Sequence, residues 1–407
     1  MNEKKNYVLA IDVAKRKSMF YILSIHGEVI LDAIEYEHTF SHFKMIDQMI
    51  RKEEIKDDLV VFMESTSTYH YPVMRYFIEQ DYDVIVVNPN LVKKSSSTFR
   101  RTKTDRLDAI KIAETYFKEE IKSNAIKTGR LYDDLQAAHR QLISLEKALT
   151  AIKNRYTRLL DICVPEHELF YSDKSDKYSL KYITLFEYFP HSEFIQKKRV
   201  DHIASILNLT FNRSFKTRLT KEATQLKSIS KDAYPGVSIT SNEVDNLKQT
   251  IIILKEFMGH YELAKERLIH FGKQTKEYKY ISSIPGIGDQ TASQLIAEIG
   301  EFSRFRSYKQ INAYCGIEPS VYQSGKTFYN GKITKSGNPF ARKVLYSVIM
   351  NIIQSSRTNY PEHPINIYYT SKKEKENKST KESVIASSTK LIRILFSLCK
   401  YERTFTK

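Results

Sequence analysis

The 407-residue sequence contains no tryptophan, only three cysteines and no long apolar run. Cys163, Cys315 and Cys399 lie far apart without metal-ligand spacing, so neither a disulfide framework nor a zinc ribbon is supported. No apolar stretch approaches the roughly 20 residues needed to span a bilayer, and the first residues lack the apolar core of a signal peptide. With 41% hydrophobic and 28% charged residues, the sequence predicts a globular cytosolic protein.

Positive charge is in excess and is unevenly distributed. The chain has a formal net charge of +16, but residues 1–90 carry a net charge of −5 and residues 301–407 a net charge of +12. A surface this positive indicates a polyanionic partner, with nucleic acid as the leading candidate. The distribution predicts an acidic module that holds divalent metal and a basic remainder that holds phosphate. The alternative is that the domains differ in charge by chance.

The first 125 residues show the pattern of an α/β domain. Apolar runs predict strands, and apolar residues at helical spacing predict helices between them. The predicted strands cover 7–11, 18–25, 29–34, 59–63 and 82–87, and the helices cover 40–52, 70–79 and 104–118. This order is typical of a ribonuclease-H-like, or RuvC-like, mixed sheet with antiparallel strands first and parallel strands after them.

The rest of the chain reads as all-α. Residues 126–278 are predicted to form a helical or coiled-coil linker arm, because apolar residues recur at heptad-like spacing and a second helical stretch (242–278) returns along the first. That stripe suits a dimerisation element or an intramolecular core helix, and 166–240 has no assignable pattern. Residues 279–356 form a predicted helical C-terminal domain, and 357–407 a basic helical tail. The stripe consists of Leu131, Leu135, Ala138, Leu142, Leu145, Leu149 and Ile152.

Four carboxylates mark a candidate metal site in the first domain. Asp12 and Glu64 end the first and fourth predicted strands, which are neighbours in a ribonuclease-H-like sheet. Asp105 and Asp108 lie three residues apart at a predicted helix start, so they share one helical face. Crowded carboxylates need a cation, and Mg²⁺, or Mn²⁺, suits ligation by oxygen atoms alone. Taken singly, each carboxylate could instead be a helix cap or a solvated residue.

Two C-terminal motifs predict contacts to DNA. Residues 281–292 resemble a helix-hairpin-helix, in which the Pro285, Gly286 and Gly288 turn exposes backbone N–H groups to a phosphate. The alternative there is a packing turn between two helices. A Gly-flanked loop then carries Ser324, with Ser320 as its rival, and three lysines that could balance phosphate charge: Lys326, Lys332 and Lys335. The alternative is a β-turn with basic residues that only grips DNA. No histidine accompanies the serine, so a Ser-His-Asp hydrolase is not supported.

The four carboxylates, with residues 103–109, resemble the DEDD motif of insertion-sequence family 110 transposases. The N-terminal domain of that family resembles the RuvC Holliday-junction nuclease, and pilin-gene invertases are its relatives. Residues 314–342 resemble the family's second transposase domain. The resemblance implies a site-specific transposase or recombinase of the bacterial cytoplasm, associated with the nucleoid. It further implies Mg²⁺ on Asp12, Glu64, Asp105 and Asp108, and a covalent phosphoserine link at Ser324.

The same resemblance implies the partners. These are double-stranded DNA of the element ends and target, a structured guide RNA encoded by the element, and a homodimer that assembles to a tetramer. Nucleic-acid contacts are expected at Arg100 and Arg101, with Lys93 and Lys94, besides the two motifs above. The competing hypotheses are a RuvC-like, metal-dependent nuclease that cuts branched DNA with water as nucleophile, and a non-catalytic nucleic-acid-binding protein.

Overall fold

The structure, a computed structural model, divides into two compact units, residues 1–128 and 129–407. It describes residues 5–65, 67–87, 105–118, 130–171, 173, 177–210, 216–324 and 327–406. Five residues expected to contact nucleic acid lie outside the described residues: Lys93, Lys94, Arg100, Arg101 and Lys326.

The first unit is built on a five-stranded mixed sheet with the strand order β3-β2-β1-β4-β5. β1 pairs antiparallel with β2 and parallel with β4, while β2 pairs antiparallel with β3 and β4 parallel with β5. This arrangement confirms the expected mixed sheet and is consistent with a ribonuclease-H-like fold. Its elements are β1 (Tyr7–Val13), β2 (Lys17–Ser24), β3 (Val29–Glu37), α1 (Phe40–Lys52), β4 (Leu59–Glu64), α2 (His70–Glu79), β5 (Asp83–Val87) and α3 (Asp105–Lys118).

The central strands β1 and β4 are apolar on both faces, because helices cover both sides of the sheet. On one face Ile11 and Met63 pack in a core with Phe43 of α1 and Phe77 of α2. On the other face a second core contains alternate residues of the same strands together with α3: Val8, Ala10, Val60, Phe62, Ala109, Ile112, Ala113 and Tyr116. The alternation assigns each residue of β1 and β4 to a known face.

The second unit is organised around two long antiparallel helices, α4 (Arg130–Cys163) and α9 (Asn242–Lys273). Leu135 and Leu142 share a core with Leu268 near the end of α9, whereas Leu149 shares a different core with Val244 near its start. The apolar stripe of α4 is therefore covered within the chain. This packing supports the intramolecular alternative for the stripe.

The described part of 166–240, the segment without a sequence assignment, contains four helices. They enclose a core with the facing ends of α4 and α9, in which Tyr156, Phe186 and Phe189 are fully or almost fully buried. A 3₁₀ turn over Pro165–Leu169 follows α4. The helices are α5 (Leu180–Tyr188), α6 (Ser192–Lys197), α7 (Val200–Asn208) and α8 (Lys216–Ser230).

The C-terminal region is helical, as expected, but it also contains a two-stranded hairpin that the sequence did not predict. The last helix packs Val384, Leu391 and Leu395 into the same core as the helices before the hairpin. No helix within the described ranges combines the length and apolar character that a membrane crossing requires. The elements are α10 (Tyr278–Ile281), α11 (Asp289–Ile299), α12 (Tyr308–Cys315), β6 (Pro319–Ser324), β7 (Thr327–Ile333), α13 (Pro339–Asn359), α14 (Pro364–Thr370) and α15 (Thr380–Lys400).

Candidate functional site

The two strand-end carboxylates lie on the same face of the sheet. Ile11 of β1 is paired with Met63 of β4, so the next residues in this parallel register, Asp12 and Glu64, are neighbours. Since successive residues of a strand alternate between faces, Asp12 shares the face of Ala10, and Glu64 that of Phe62. This is the face covered by α3. Both carboxylates are partly exposed.

The start of α3 lies at the same end of the sheet. The Tyr116 hydroxyl, near the end of α3, accepts a hydrogen bond from the backbone N–H of Lys5, just before β1, at 3.1 Å. Helix α3 therefore runs antiparallel to β1, and its first turn reaches the end of β1 where Asp12 lies. Asp105 and Asp108 are in that first turn, on the helical face that carries Ala109 and Ile112 into the core.

Basic side chains already contact this acidic region. Lys111 is 2.9 Å from the Asp108 carboxylate, and Arg106 donates to both oxygens of Asp32 on β3, at 2.8 and 2.9 Å, which lowers the pKa of Asp32. The Lys17 ammonium is hydrogen-bonded to Glu35, which raises the pKa of Lys17, and Asp105 adds a smaller attraction.

The donor set fits a divalent cation in chemistry but is not a finished ligand cage. Within the described ranges, no group of three or more His, Cys, Asp or Glu side chains is arranged to hold a metal ion. The donors that share this end of the sheet are all carboxylates, Asp12, Glu64, Asp105 and Asp108, which hard cations prefer. The Oδ1 atom of Asp108 is engaged by Lys111 at 2.9 Å, so this oxygen can bind a cation only if the ion pair opens.

The predicted helix-hairpin-helix is a tight turn between α10 and α11. Gly286 has φ of +87°, and a Cβ there would lie 3.0 Å from the Cα of Ile352 in α13, so this glycine is needed for packing. Gly288, the N-cap of α11, has open space around it. The negative charge of Asp289 at this helix start is balanced by Lys273 at 3.0 Å, which, with a hydrogen bond from Tyr278, lowers the pKa of Asp289. Pro285, beside Gly286, is partly buried.

Ser324 ends β6 and pairs in register with Thr327, the first residue of β7. It therefore lies at the tip of the β6–β7 hairpin, beside the two-residue connection. Ser320 lies near the base, where its hydroxyl donates to the Lys332 backbone carbonyl at 2.8 Å. The hydroxyl of the rival serine is thus already engaged in holding the two strands together.

Lys332 and Lys335 are exposed at the base of the hairpin. Lys332 lies opposite Ser320. Ser320 is four residues from Ser324, which corresponds to about 13 Å along the strand. Both lysines therefore lie away from the tip of the hairpin, and their contact with DNA phosphates stays a prediction.

The glycines and the Asn-Pro pair that surround the hairpin are structural. A Cβ on Gly337 would lie 2.3 Å from the Tyr314 carbonyl oxygen, so only glycine allows this approach. Gly316 ends α12 in the left-handed conformation. Asn338 caps α13, with its side-chain oxygen accepting from the N–H groups of Phe340 and Ala341. These residues fix the base from which the hairpin projects.

Sequence reasoning missed a buried polar network beneath the hairpin. Glu298 is 0% exposed, and its carboxylate is bonded to His139 at 2.7 Å, to Arg140 at 2.8 Å and to the Asn338 amide at 2.8 Å. The network joins α4, α11 and the N-terminus of α13. No local signal marks it, because His139 and Glu298 are 159 positions apart in the sequence.

Two family models match the chain, and together they cover more than half of it. Residues 9–165 match a model for DEDD transposases of the IS110 type, described as "Transposase". Residues 278–362 match the model described as "Transposase IS116/IS110/IS902 family". The first range contains all four carboxylates, and the second contains the helix-hairpin-helix turn and Ser324.

Individual relatives share 20–32% sequence identity with the chain over the parts that match. A pilin gene-inverting protein of Moraxella bovis is 28% identical over 128 residues, which are 31% of this chain and 38% of that protein. The transposase for insertion sequence element IS1111A of Coxiella burnetii is 32% identical over 90 residues, or 22% and 24% of the two chains. A putative transposase (y4qE) of Sinorhizobium fredii is 20% identical over 300 residues, or 74% and 60%. The chain thus spans well under half the length of the first two relatives.

Proposed function

Because the chain belongs to the IS110 family of transposases, with a DEDD N-terminal domain and a Transposase_20 C-terminal domain, we propose that it is a site-specific DNA transposase or recombinase of an insertion sequence. It would cut and rejoin DNA through the carboxylates of the first unit and Ser324 of the second. The observation that carries the proposal is the gathering of Asp12 and Glu64 with the first turn of α3 at one end of the sheet.

Asp12, Glu64, Asp105 and Asp108 would hold the divalent metal that the DEDD family implies, with Mg²⁺ or Mn²⁺ as the ion. A bound ion of this kind polarises a phosphoryl oxygen and stabilises the leaving oxygen. The carboxylates would orient the DNA phosphate through the ion. Release of its Oδ1 atom from Lys111 would let Asp108 offer both carboxylate oxygens to the ion.

Ser324 would be the nucleophile. Its hydroxyl oxygen would form a bond to phosphorus while the bond from phosphorus to one bridging sugar oxygen breaks. The serine proton is released and the departing sugar oxygen is protonated, so the phosphodiester count is conserved and can be restored by the reverse attack. The position at the hairpin tip, and the bond between the Ser320 hydroxyl and Lys332, support Ser324 over its rival.

The metal part of the proposal is tested with the full chain, its element's circular junction and the co-transcribed RNA. Asp12→Asn and Glu64→Gln should reduce strand cleavage by about a hundredfold or more, since metal-ion stabilisation is worth several kcal/mol. Mg²⁺ at a hundredfold excess over its dissociation constant should stabilise the wild type by about 2.7 kcal/mol and Asp12→Asn by far less. Glu79→Gln, an exposed carboxylate on α2 at the opposite face, is the matched control. Equal cleavage by Asp12→Asn and wild type would contradict the proposal.

The serine part is tested by trapping protein–DNA adducts under denaturing conditions. Ser324→Ala should abolish the adduct and leave DNA binding intact, while Ser320→Ala should retain the adduct. An adduct that is lost only in Ser320→Ala would move the role to that serine. Cleavage without any adduct would identify a RuvC-like nuclease that uses water.

Double-stranded DNA, a structured guide RNA and a homodimer that assembles to a tetramer complete the proposal. The excess of positive charge in residues 301–407 supports the nucleic-acid partners. Recombination that requires the co-transcribed RNA, and a particle mass of two or four chains on DNA, are the expected results. Full recombination by RNA-free protein would remove the guide from the proposal.

A further inference from the structure

A basic cleft in the second unit is not used by the proposed chemistry. It has a volume of about 1220 Å³ and lies between α10, one face of α15 and residues 402–406. Its cations are Lys279 of α10, Lys390 and Arg393 of α15, and Arg403. We name it the cationic cleft. Among the residues that the structure describes, Glu402 is the one carboxylate in its lining, so the walls carry an excess of positive charge.

The four cations of the cleft are not neutralised within the part of the chain that the structure describes. None of them forms an ion pair there, although many surface lysines and arginines of the chain do. Four unpaired cations that face one volume repel one another. An external anion in the cleft would relieve that repulsion.

Aromatic rings, rather than carboxylates, hold two of these cations in place. The Lys390 ammonium lies 4.7 Å from the centre of the Tyr368 ring, and the Arg393 guanidinium 4.7 Å from the centre of the Tyr308 ring. A ring orients a cation without cancelling its charge. The cleft therefore presents fixed charges that remain available to a ligand, which reduces the ordering cost of binding.

The cleft is too large for a single inorganic anion and adjoins the helix-hairpin-helix. Its volume exceeds the roughly 300–1,000 Å³ of small-molecule pockets. The extended backbone of a single strand can follow such a cleft with several phosphates, as in the positively charged grooves that bind single strands. The wall of the cleft is continuous with the turn between α10 and α11, because the Phe405 backbone N–H donates to the Ser283 hydroxyl oxygen at 2.8 Å.

We propose that the cationic cleft binds the phosphodiester backbone of a single nucleic-acid strand, outside the carboxylate and serine positions. This inference rests on the proposed function in that the nucleic acid handled by a transposase supplies the strand. Lys279, Lys390, Arg393 and Arg403 contact phosphates. Tyr308 and Tyr368 position two of these cations.

The test uses the full chain in an Asp12→Asn background and measures fluorescence anisotropy of labelled RNA and DNA single strands of about 12 nucleotides, a typical single-strand site size. The triple variant Lys279→Gln, Lys390→Gln, Arg393→Gln should bind about tenfold more weakly at physiological salt, with a log–log salt slope shallower by about 2, because each phosphate contact to a single strand contributes about 0.7. The RNA and DNA arms identify the strand. The matched control removes three exposed cations among the α6–α8 helices and the loop after them: Lys198, Lys221 and Lys231.

Tyr308→Leu and Tyr368→Leu give an independent readout. They should weaken binding several-fold and leave the salt slope unchanged, because the charges remain but are no longer oriented. An equal loss in the control triple variant, or displacement of the strand by poly-glutamate at equal charge, would overturn the proposal. Binding does not depend on cleavage. An unaffected triple variant would refute the cleft while the proposed transposase stands. Weakened binding by the triple variant, together with equal cleavage by Asp12→Asn and wild type, would refute the catalytic proposal alone.

Discussion

The two units of the molecule differ in the burial of their acidic side chains and in the contacts that these side chains make. In the first unit, carboxylates from β1, β4 and α3 share one end of the sheet, where Asp12 and Glu64 are only half-buried. In the second unit, Glu298 is fully buried and bonded to His139, Arg140 and Asn338. A carboxylate that has complete partners inside a core maintains structure, whereas carboxylates crowded at a solvent-facing edge are suited to bind a cation.

The largest expected effect is that removal of a carboxylate from the first unit lowers activity much more than it lowers stability. Asp12→Asn should reduce cleavage by about a hundredfold or more, while the free energy of unfolding falls by less than the roughly 3–5 kcal/mol expected on breaking a buried pair, because Asp12 is partly exposed. Urea unfolding of the metal-free protein measures the second quantity. A large loss of stability in this variant would make Asp12 a structural residue like Glu298 and break the comparison.

Glu298→Ala should show the reverse pattern. Loss of this carboxylate leaves His139 and Arg140 without their partner in the core, and breaking a buried pair costs about 3–5 kcal/mol. Glu301→Ala, three residues further along, removes a partly exposed pair with Lys276 and should cost about 1 kcal/mol or less. Thermal unfolding compares the two, and equal costs would refute the structural role of the network.

Two glycines of α9, one packed against another helix and one in open space, test how tightly the second unit is packed. A Cβ on Gly272 would lie 2.6 Å from the Ser293 Cβ, whereas nothing lies within 4 Å of a Cβ on Gly259. Gly272→Ala should destabilise the chain by about 1–3 kcal/mol through overpacking. Gly259→Ala should stabilise it by about 0.5–1 kcal/mol through helix propensity. Opposite signs in the same helix are the test, and two equal shifts would contradict the packing.

The smallest expected effects concern the thiols. Burial raises the pKa of Cys163 to about 11 and that of Cys315 to about 12. Because these values lie above the ordinary 8.5 or so, both thiols stay protonated near pH 8, and the stability they contribute is lost only as pH rises beyond about 8.5. A disulfide reagent should label both at least about tenfold more slowly than in the denatured chain. Rapid labelling of the native protein would show that these cores open.

The sheet could be predicted from sequence because β1, β2, β4 and β5 are continuous apolar runs. The candidate metal residues followed from that order, since parallel neighbours bring Asp12 and Glu64 to one end. The β6–β7 hairpin was missed because its strands alternate polar and apolar residues around glycines and read as a loop. Lys111 beside Asp108 could have been found from its i+3 spacing.

The cationic cleft and the Glu298 network had no sequence signal. Lys390 and Arg393 look like ordinary solvated positions of an amphipathic helix, and only the chain fold brings Lys279 to face them. In the same way, α15 reads as part of a separate tail, but it packs into the core formed by α11 and α13. Such features depend on contacts between residues that are far apart in the sequence, and local residue spacing does not predict these contacts. The domain boundaries remain a prediction.

Helices α4 and α9 run without interruption through both hydrophobic cores of the second unit. At 1.5 Å per residue, the 34 residues of α4 span about 51 Å. Because both cores depend on these two helices, heat or denaturant should unfold both in one transition. Because the helix pair is continuous, we expect a displacement at the end packed against α5–α8 to reach the other end. There His139 and Arg140 of α4 contact Glu298 beneath the β6–β7 hairpin.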